Sequence, residues 1–337
     1  MQKLFFTFII ALTSFTSFSQ TDSVWLRKFH DLALENGHAY EDLRELCKDI
    51  GARVTASAEA EMAVKWGKQK LESYGFDKVY LQEIEVPHWE RGTTESAWIE
   101  VDEKIIKLDI LALGGSIGTN GLLKGELIVF KSLDDLKKAD KKTIADKIVL
   151  INQPMDAKHI STFKAYGGCW PVRGLGAVEA GDLGAKAVVI RSLRLPIDHH
   201  PHTGSMYYVD TVDKIPAAAL STANCELIQS YADAGKSMSI SLEMDCRSFP
   251  NKKSHNVIGE ITGSKYPEQV VTLGAHLDSW DLGTGALDDG TGVSIVMSAA
   301  KHIIDGGKKP KRSIRVMLFA AEEEGLYGAH EYVRAHK

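Results

Sequence analysis

Residues 255–337 constrain the fold more than any other stretch of this chain. Asn256–Thr262 and Val270–Ala275 read as strands. Thr291–Ile304 reads as a helix with Val293, Val296, Met297 and Ala300 on one face. Ser313–Ala320 is a strongly apolar strand, and Gly328–His336 begins another helix. Strand, helix, strand, helix implies a mostly parallel sheet with helices on both faces, an α/β architecture.

The rest of the chain falls into blocks around that pattern. Residues 22–50 are helical in pattern, with a break at Asn36-Gly37. Residues 58–74 predict a helix stopped by Gly75, and Val79–Val86 alternates as a strand ending at Pro87. From about residue 91 short β-like runs take over: Ala97–Val101, Ile105–Leu113, Glu126–Phe130, Ile148–Ile151, Ala187–Ile190, Ile215–Leu220 and Met238–Met244. One short helix, Gly176–Leu183, interrupts them, and Asn251–Ser254 reads as a return linker. The expectation is one α/β domain in two parts, 20–90 and 253–337, interrupted by a β-rich domain at 91–252.

Residues 1–19 predict a secretory signal peptide. Lys3 supplies charge, Leu4–Leu12 the apolar stretch, and Ser17 and Ser19 the small residues before cleavage. The apolar stretch is short for a membrane span, and no later segment is long and apolar enough for stable membrane insertion. The expected location is periplasmic or extracellular. A net charge of −5 gives no basic excess to neutralise phosphates, which argues against nucleic-acid binding. Cys47, Cys169, Cys225 and Cys246 match no zinc-knuckle or C-x-x-C spacing, and a Cys225–Cys246 pair and isolated thiols both stay open.

Three segments carry the chemistry. His276 ends an apolar strand, with Asp278 two residues on, an arrangement suited to a metal-bound imidazole supported by an acid. Asp288 and Asp289 lie among glycines just before a helix, where capping alone would need one acid. Glu322, Glu323 and Glu324 follow an apolar strand, where acids also complement a helix dipole. Each motif alone is weak. Together they place a histidine and several carboxylates at the carboxyl ends of adjacent parallel strands, where open α/β folds bind ligands. Such donors suit zinc, and an additional glutamate can activate a metal-bound water. Two further patterns fall short. Gly114-Gly-Ser116-Ile-Gly118 fits G-x-S-x-G, but a turn follows where a helix is required, and Gly174-Leu-Gly176 lacks the third glycine of a dinucleotide loop.

His276-x-Asp278-Ser-Trp, Ala286-Leu-Asp288-Asp-Gly-Thr-Gly292 and Ala321-Glu322-Glu323-x-Gly325 resemble the co-catalytic zinc peptidases of metallopeptidase family 28. Val86-Pro-His-Trp-Glu-Arg-Gly92, Pro201-His-Thr-Gly204, Lys214-Ile-Pro216 and His255–Glu260 resemble a glutamate carboxypeptidase branch of it. The resemblance implies a zinc-peptidase domain interrupted by a protease-associated domain, two zinc ions per complete site, and a small peptide substrate. It implies His276, Asp288 and Glu323 as metal ligands, with Asp288 bridging, and Glu322 as the general base. It implies Asp278 as the residue orienting His276, and a cis Asp288–Asp289 peptide. The family's pattern also needs an acidic ligand and a histidine downstream of Glu323, so the sequence reads as C-terminally truncated, with an incomplete site. A non-catalytic binding module of the same fold and a serine hydrolase using Ser116 are the competing readings. A homodimer is one expectation for its assembly.

Overall fold

The computed structural model describes residues 23–336. The expected signal peptide at 1–19 lies outside the described residues. Two compact units are present: unit 1 comprises the chain up to Val86 and from Lys253 onward, and unit 2 is Pro87–Lys252.

Unit 1 opens with helices α1 (residues 23–35) and α2 (Ala39–Glu45), the latter running into a π-helical turn at Leu46–Ile50. Helix α3 (Ala58–Ser73) follows, its first turn capped by Ser57, whose hydroxyl accepts from Ala60 N at 3.0 Å. Strand β1 (Lys78–Glu90) pairs with β10 (Arg247–Ile261) at one side of a four-stranded sheet, which continues through β12 (Arg312–Phe319) to β11 (Tyr266–His276). β11 and β12 are parallel, with His276 opposite Phe319, while β10 runs antiparallel to β12. The sheet is therefore mixed rather than mostly parallel. The connection from β10 to β11 is a short turn, and a parallel continuation needs a crossover of a dozen residues or more. The crossover between β11 and β12 is helix α8 (Thr291–Asp305), which buries Val293, Met297 and Ala300. These pack with Leu46, Val64, Leu71, Val257, Val316 and Leu318 in one core. Gly67 of α3 lets the helix sit close to the sheet: a Cβ there would meet Leu318 Cδ1 at 2.9 Å. Helix α9 (Tyr327–Ala335) ends the described chain.

Unit 2 holds an eight-stranded sheet in the order β3-β2-β9-β5-β6-β7-β8-β4. Its centre is the parallel set β5 (Leu123–Phe130), β6 (Ile148–Ile151), β7 (Ala187–Arg191) and β8 (Ala217–Leu220). Every residue of β6, β7 and β8 is buried, as expected of strands covered on both faces. Strands β2 (Glu95–Val101), β3 (Lys104–Leu108), β4 (Ile110–Ala112) and β9 (Ser239–Met244) add antiparallel flanks.

Unit 2 is richer in helix than its sequence texture predicts. Helices α4 (Leu133–Lys137), α5 (Lys141–Ile144), α6 (Thr162–Asp182) and α7 (Thr222–Asp233) lie between the strands. The expected short helix at Gly176–Leu183 is the end of α6. Pro171 and several glycines masked the rest, because they are poor helix formers whose cost is met here by burial. Gly174 and Gly176 are packing positions: a Cβ would meet Trp170 at 2.7 Å and Ile151 at 3.1 Å respectively. The expected strand Ile105–Leu113 is two strands, β3 and β4. The expected linker Asn251–Ser254 lies inside β10. All four cysteines are buried and free, so the Cys225–Cys246 pairing is not formed. No helix among the described residues is long and apolar enough to cross a membrane.

Candidate metal centre

The parallel register of β11 and β12 brings their carboxyl ends side by side. Leu277 N donates to Phe319 O at 2.7 Å, one step past the end of the ladder. His276 leaves β11 there, and the segment 320–324 leaves β12.

His276 is nearly buried and makes contacts through both ring nitrogens. Nε2 lies 3.0 Å from Asp288 Oδ1 and 3.9 Å from Glu322 Oε2. Nδ1 lies 3.0 Å from the backbone oxygen of Asp278 and 3.7 Å from its Oδ1. Burial disfavours the imidazolium, but hydrogen bonding to Asp278 and Asp288 and the nearby carboxylate charges outweigh it, pushing the His276 pKa up to about 11.

Asp278 does more than support the histidine. Its Oδ1 accepts from Glu322 N at 3.1 Å and its Oδ2 from Glu323 N at 3.0 Å. A buried carboxylate at the end of β11 thus holds the backbone carrying both glutamates after β12.

The two aspartates before α8 divide their labour. Asp289 accepts from Gly292 N at 3.0 Å through Oδ1 and from His276 N at 3.3 Å through Oδ2. It fills the capping role and ties the helix start to β11. Gly292 is required for this approach, because a Cβ would lie 2.2 Å from Asp289 Oδ1. With the cap supplied by Asp289, the Asp288 side chain reaches His276 and stays largely exposed. The Asp288–Asp289 peptide is cis.

Glu323 accepts from Trp280 Nε1 at 2.9 Å. Burial and then the charges of Asp288 and Asp278 push its pKa up to about 8. Burial, with Asp278, Asp288 and Asp289 nearby, also raises Glu322, against an opposing pull from His276. Glu324 lies half-buried beside them, hydrogen bonded by the Thr55 hydroxyl, and is likewise pushed up to about 8, chiefly by desolvation.

The donor set suits zinc in chemical type: one imidazole and several carboxylates whose mutual repulsion a divalent cation would relieve. Two ligand atoms about 2.0–2.1 Å from a tetrahedral ion stand roughly 3.3 Å apart. His276 Nε2 and Asp288 Oδ1, at 3.0 Å, are close to that spacing. Among the described residues, no three His, Cys, Asp or Glu side chains already converge as a metal-holding group. Glu323, turned toward Trp280, does not join the His276–Asp288 contact directly.

Arg53, Thr55, Trp280, Asp289 and Glu324 contribute contacts that the sequence patterns did not assign. Arg53 and Thr55 lie in a short segment between helices, without periodicity or a motif to single them out. The serine motif resolves differently. Ser116 is fully buried, donates to Ile117 O at 2.9 Å and accepts from Ala217 N at 2.8 Å, which leaves no exposed nucleophile.

Residues 256–337 match the model of peptidase family M28. Human carboxypeptidase Q is 40% identical over 89% of this chain and 61% of its own length. The mouse protein of that name is 36% identical over 100% of this chain and 74% of its own. A solved Shewanella amazonensis M28 peptidase precursor superposes with a TM-score of 0.89 at 40% identity, over 93% of this chain and 70% of that one. The chain belongs to peptidase family M28. It spans 61% of the length of human carboxypeptidase Q.

Proposed function

We propose that the protein is an exported zinc-dependent exopeptidase that hydrolyses dipeptides or short peptides at a two-zinc site. The carrying observation is the gathering of His276, Asp288, Glu322 and Glu323 at the ends of β11 and β12, backed on one side by the Asp278 carboxylate. His276 and Asp288 would hold one ion, Asp288 would bridge, and Glu323 would bind the second. Zinc, when bound, polarises the scissile carbonyl and lowers the pKa of the attacking water.

The chain's own residues supply the rest. Glu322 accepts the water's proton and delivers it to the leaving amine, a task suited to a carboxyl held above its usual range. Asp278 fixes Glu322 and Glu323 through their amides, so the base and a ligand share one support. Unit 2 is assigned as the protease-associated-like insertion.

Zinc content and hydrolysis of a dipeptide series by the full-length protein test the reading. Stoichiometric zinc and chelator-sensitive hydrolysis are expected, with no effect of a serine-directed reagent. Zinc-free, inactive protein would instead favour a non-catalytic module of the same fold.

A further inference from the structure

Arg53 is fully buried, and its guanidinium makes its hydrogen bonds to backbone carbonyls. Nε donates to Leu277 O at 2.6 Å, Nη1 to Gly51 O at 2.6 Å and to Thr284 O at 2.7 Å, and Nη2 to Gly285 O at 3.1 Å. Leu277 directly follows His276, and Gly285 lies three residues before Asp288. The two ends of the segment 277–285 are thus gathered on one side chain.

The main chain reinforces the clasp. Arg53 N donates to Ser279 Oγ at 3.1 Å, and Ser279 N donates to Arg53 O at 3.1 Å. Gly285 O also accepts from Gly290 N at 3.0 Å, closing the turn that carries Asp288 and Asp289. Gly285 has φ 59, and a Cβ there would lie 2.3 Å from Ser279 Cβ and 2.6 Å from Arg53 Nη2. The turn therefore needs a left-handed, side-chain-free residue where the guanidinium seats. Within the clasped segment sit Asp278, which holds the Glu322 and Glu323 amides, and Trp280, which holds the Glu323 carboxylate.

We infer that Arg53 is the positioning residue of the metal centre: it fixes the separation of His276 from Asp288 by clasping both ends of the loop between them. Only a planar fork with several donors can serve carbonyls on both sides at once; a lysine ammonium is a single point on a flexible stem. A buried cation is costly when unsatisfied, so its spread of carbonyl acceptors gives the clasp a defined geometry. The inference rests on the zinc-site reading above.

The experiment measures zinc dissociation constants by chelator competition on the full-length protein, with folding followed by circular dichroism and thermal melts. The variants are Arg53→Met, Arg53→Lys, Gly285→Ala and the Arg53→Met/Gly285→Ala double, with His276→Ala as the no-site control. Loss of support around a metal site typically weakens metal affinity 10–100-fold. That loss is expected for Arg53→Met in folded protein, without rescue by Arg53→Lys. Gly285→Ala should do the same, and the double should be no worse than the weaker-binding single, because both break one clasp. If Arg53→Met does not fold, Gly285→Ala, which keeps the guanidinium, carries the test. Wild-type zinc affinity in folded Arg53→Met or in Gly285→Ala, with only the melting temperature lowered, overturns the positioning role and leaves the zinc reading intact. Zinc binding no stronger in wild type than in His276→Ala overturns both.

Discussion

Both units place parallel strands side by side, yet they finish those strands in opposite ways. In unit 1, β11 and β12 end in His276, Asp278, Glu322 and Glu323, where like charges crowd and two of the glutamates stand above their usual pKa range by burial and repulsion. In unit 2, β6, β7 and β8 end in Asn152, Ser192 and Ser221, whose polar atoms are taken up locally. Asn152 donates to Gln229 Oε1 at 3.0 Å and accepts from Arg191 Nη1 at 3.1 Å, while the same Arg191 atom meets Glu226 at 2.6 Å. Ser192 Oγ donates to Leu220 O at 2.6 Å, and Ser221 caps α7. The strand-end rule for ligand sites is therefore permissive rather than sufficient. What separates the two ends is electrostatic: unit 2 balances its groups among neighbours, and unit 1 carries an excess of negative charge suited to a cation.

The sharpest way to break that contrast is to remove the imidazole. His276→Ala should abolish zinc retention and hydrolysis together, because the group that faces both Asp288 and Glu322 is gone. Metal analysis and turnover on the same preparation check it. Retained zinc would mean that the charge excess in unit 1 is not organised around His276.

Glu322→Gln should come next in size. The shape is kept and only the proton shuttle is lost, so zinc content should stay near wild type while turnover falls about 10²–10⁴-fold. Near-normal turnover would move the base elsewhere in the cluster, Glu324 being a neighbouring glutamate with no ligand role in this reading.

How much of this was legible in the sequence differs between the two units for the same reason. The apolar runs of β11 and β12, the face of α8 and the acids at their ends are local patterns, and the expected site residues lie together in unit 1. The direction of β10 was not legible, because strand pairing across β12 is a long-range choice that periodicity does not encode. Helix α6 was hidden by Pro171 and its glycines, whose preference is overridden by packing against β6 and β7. Arg53 was invisible for a related reason: apart from Gly51 O, its partners are backbone carbonyls more than 200 positions away, and any residue type supplies a carbonyl. The dual role of Asp278 needed coordinates too, since spacing from His276 suggested only the histidine as its partner.

Asp278→Asn sharpens the contrast more gently. Asn offers one acceptor where the carboxylate offers two, so one of the Glu322 and Glu323 amides would face an NH₂ group. About 1–3 kcal/mol of stability should be lost, together with a ~10–100-fold fall in zinc affinity. Denaturant unfolding and chelator competition separate the two effects. A stability loss with unchanged affinity would reduce Asp278 to a scaffold residue like those of unit 2.

The smallest effect is expected in unit 2. Ser192→Ala removes the acceptor of His202 N, at 2.9 Å, and one donor to Leu220 O, which keeps its bond from Ser192 N at 3.1 Å. The cost should be about 1 kcal/mol, a fall in melting temperature of about 2–4 °C for a domain of this size. Turnover and zinc content should be unchanged, because the hydroxyl serves only backbone groups within unit 2. A large loss of turnover with an unchanged melting temperature would put a reacting or substrate-holding group at the strand ends of unit 2. The balanced ends would then be as functional as the charged ones, and the electrostatic distinction between the two units would fail.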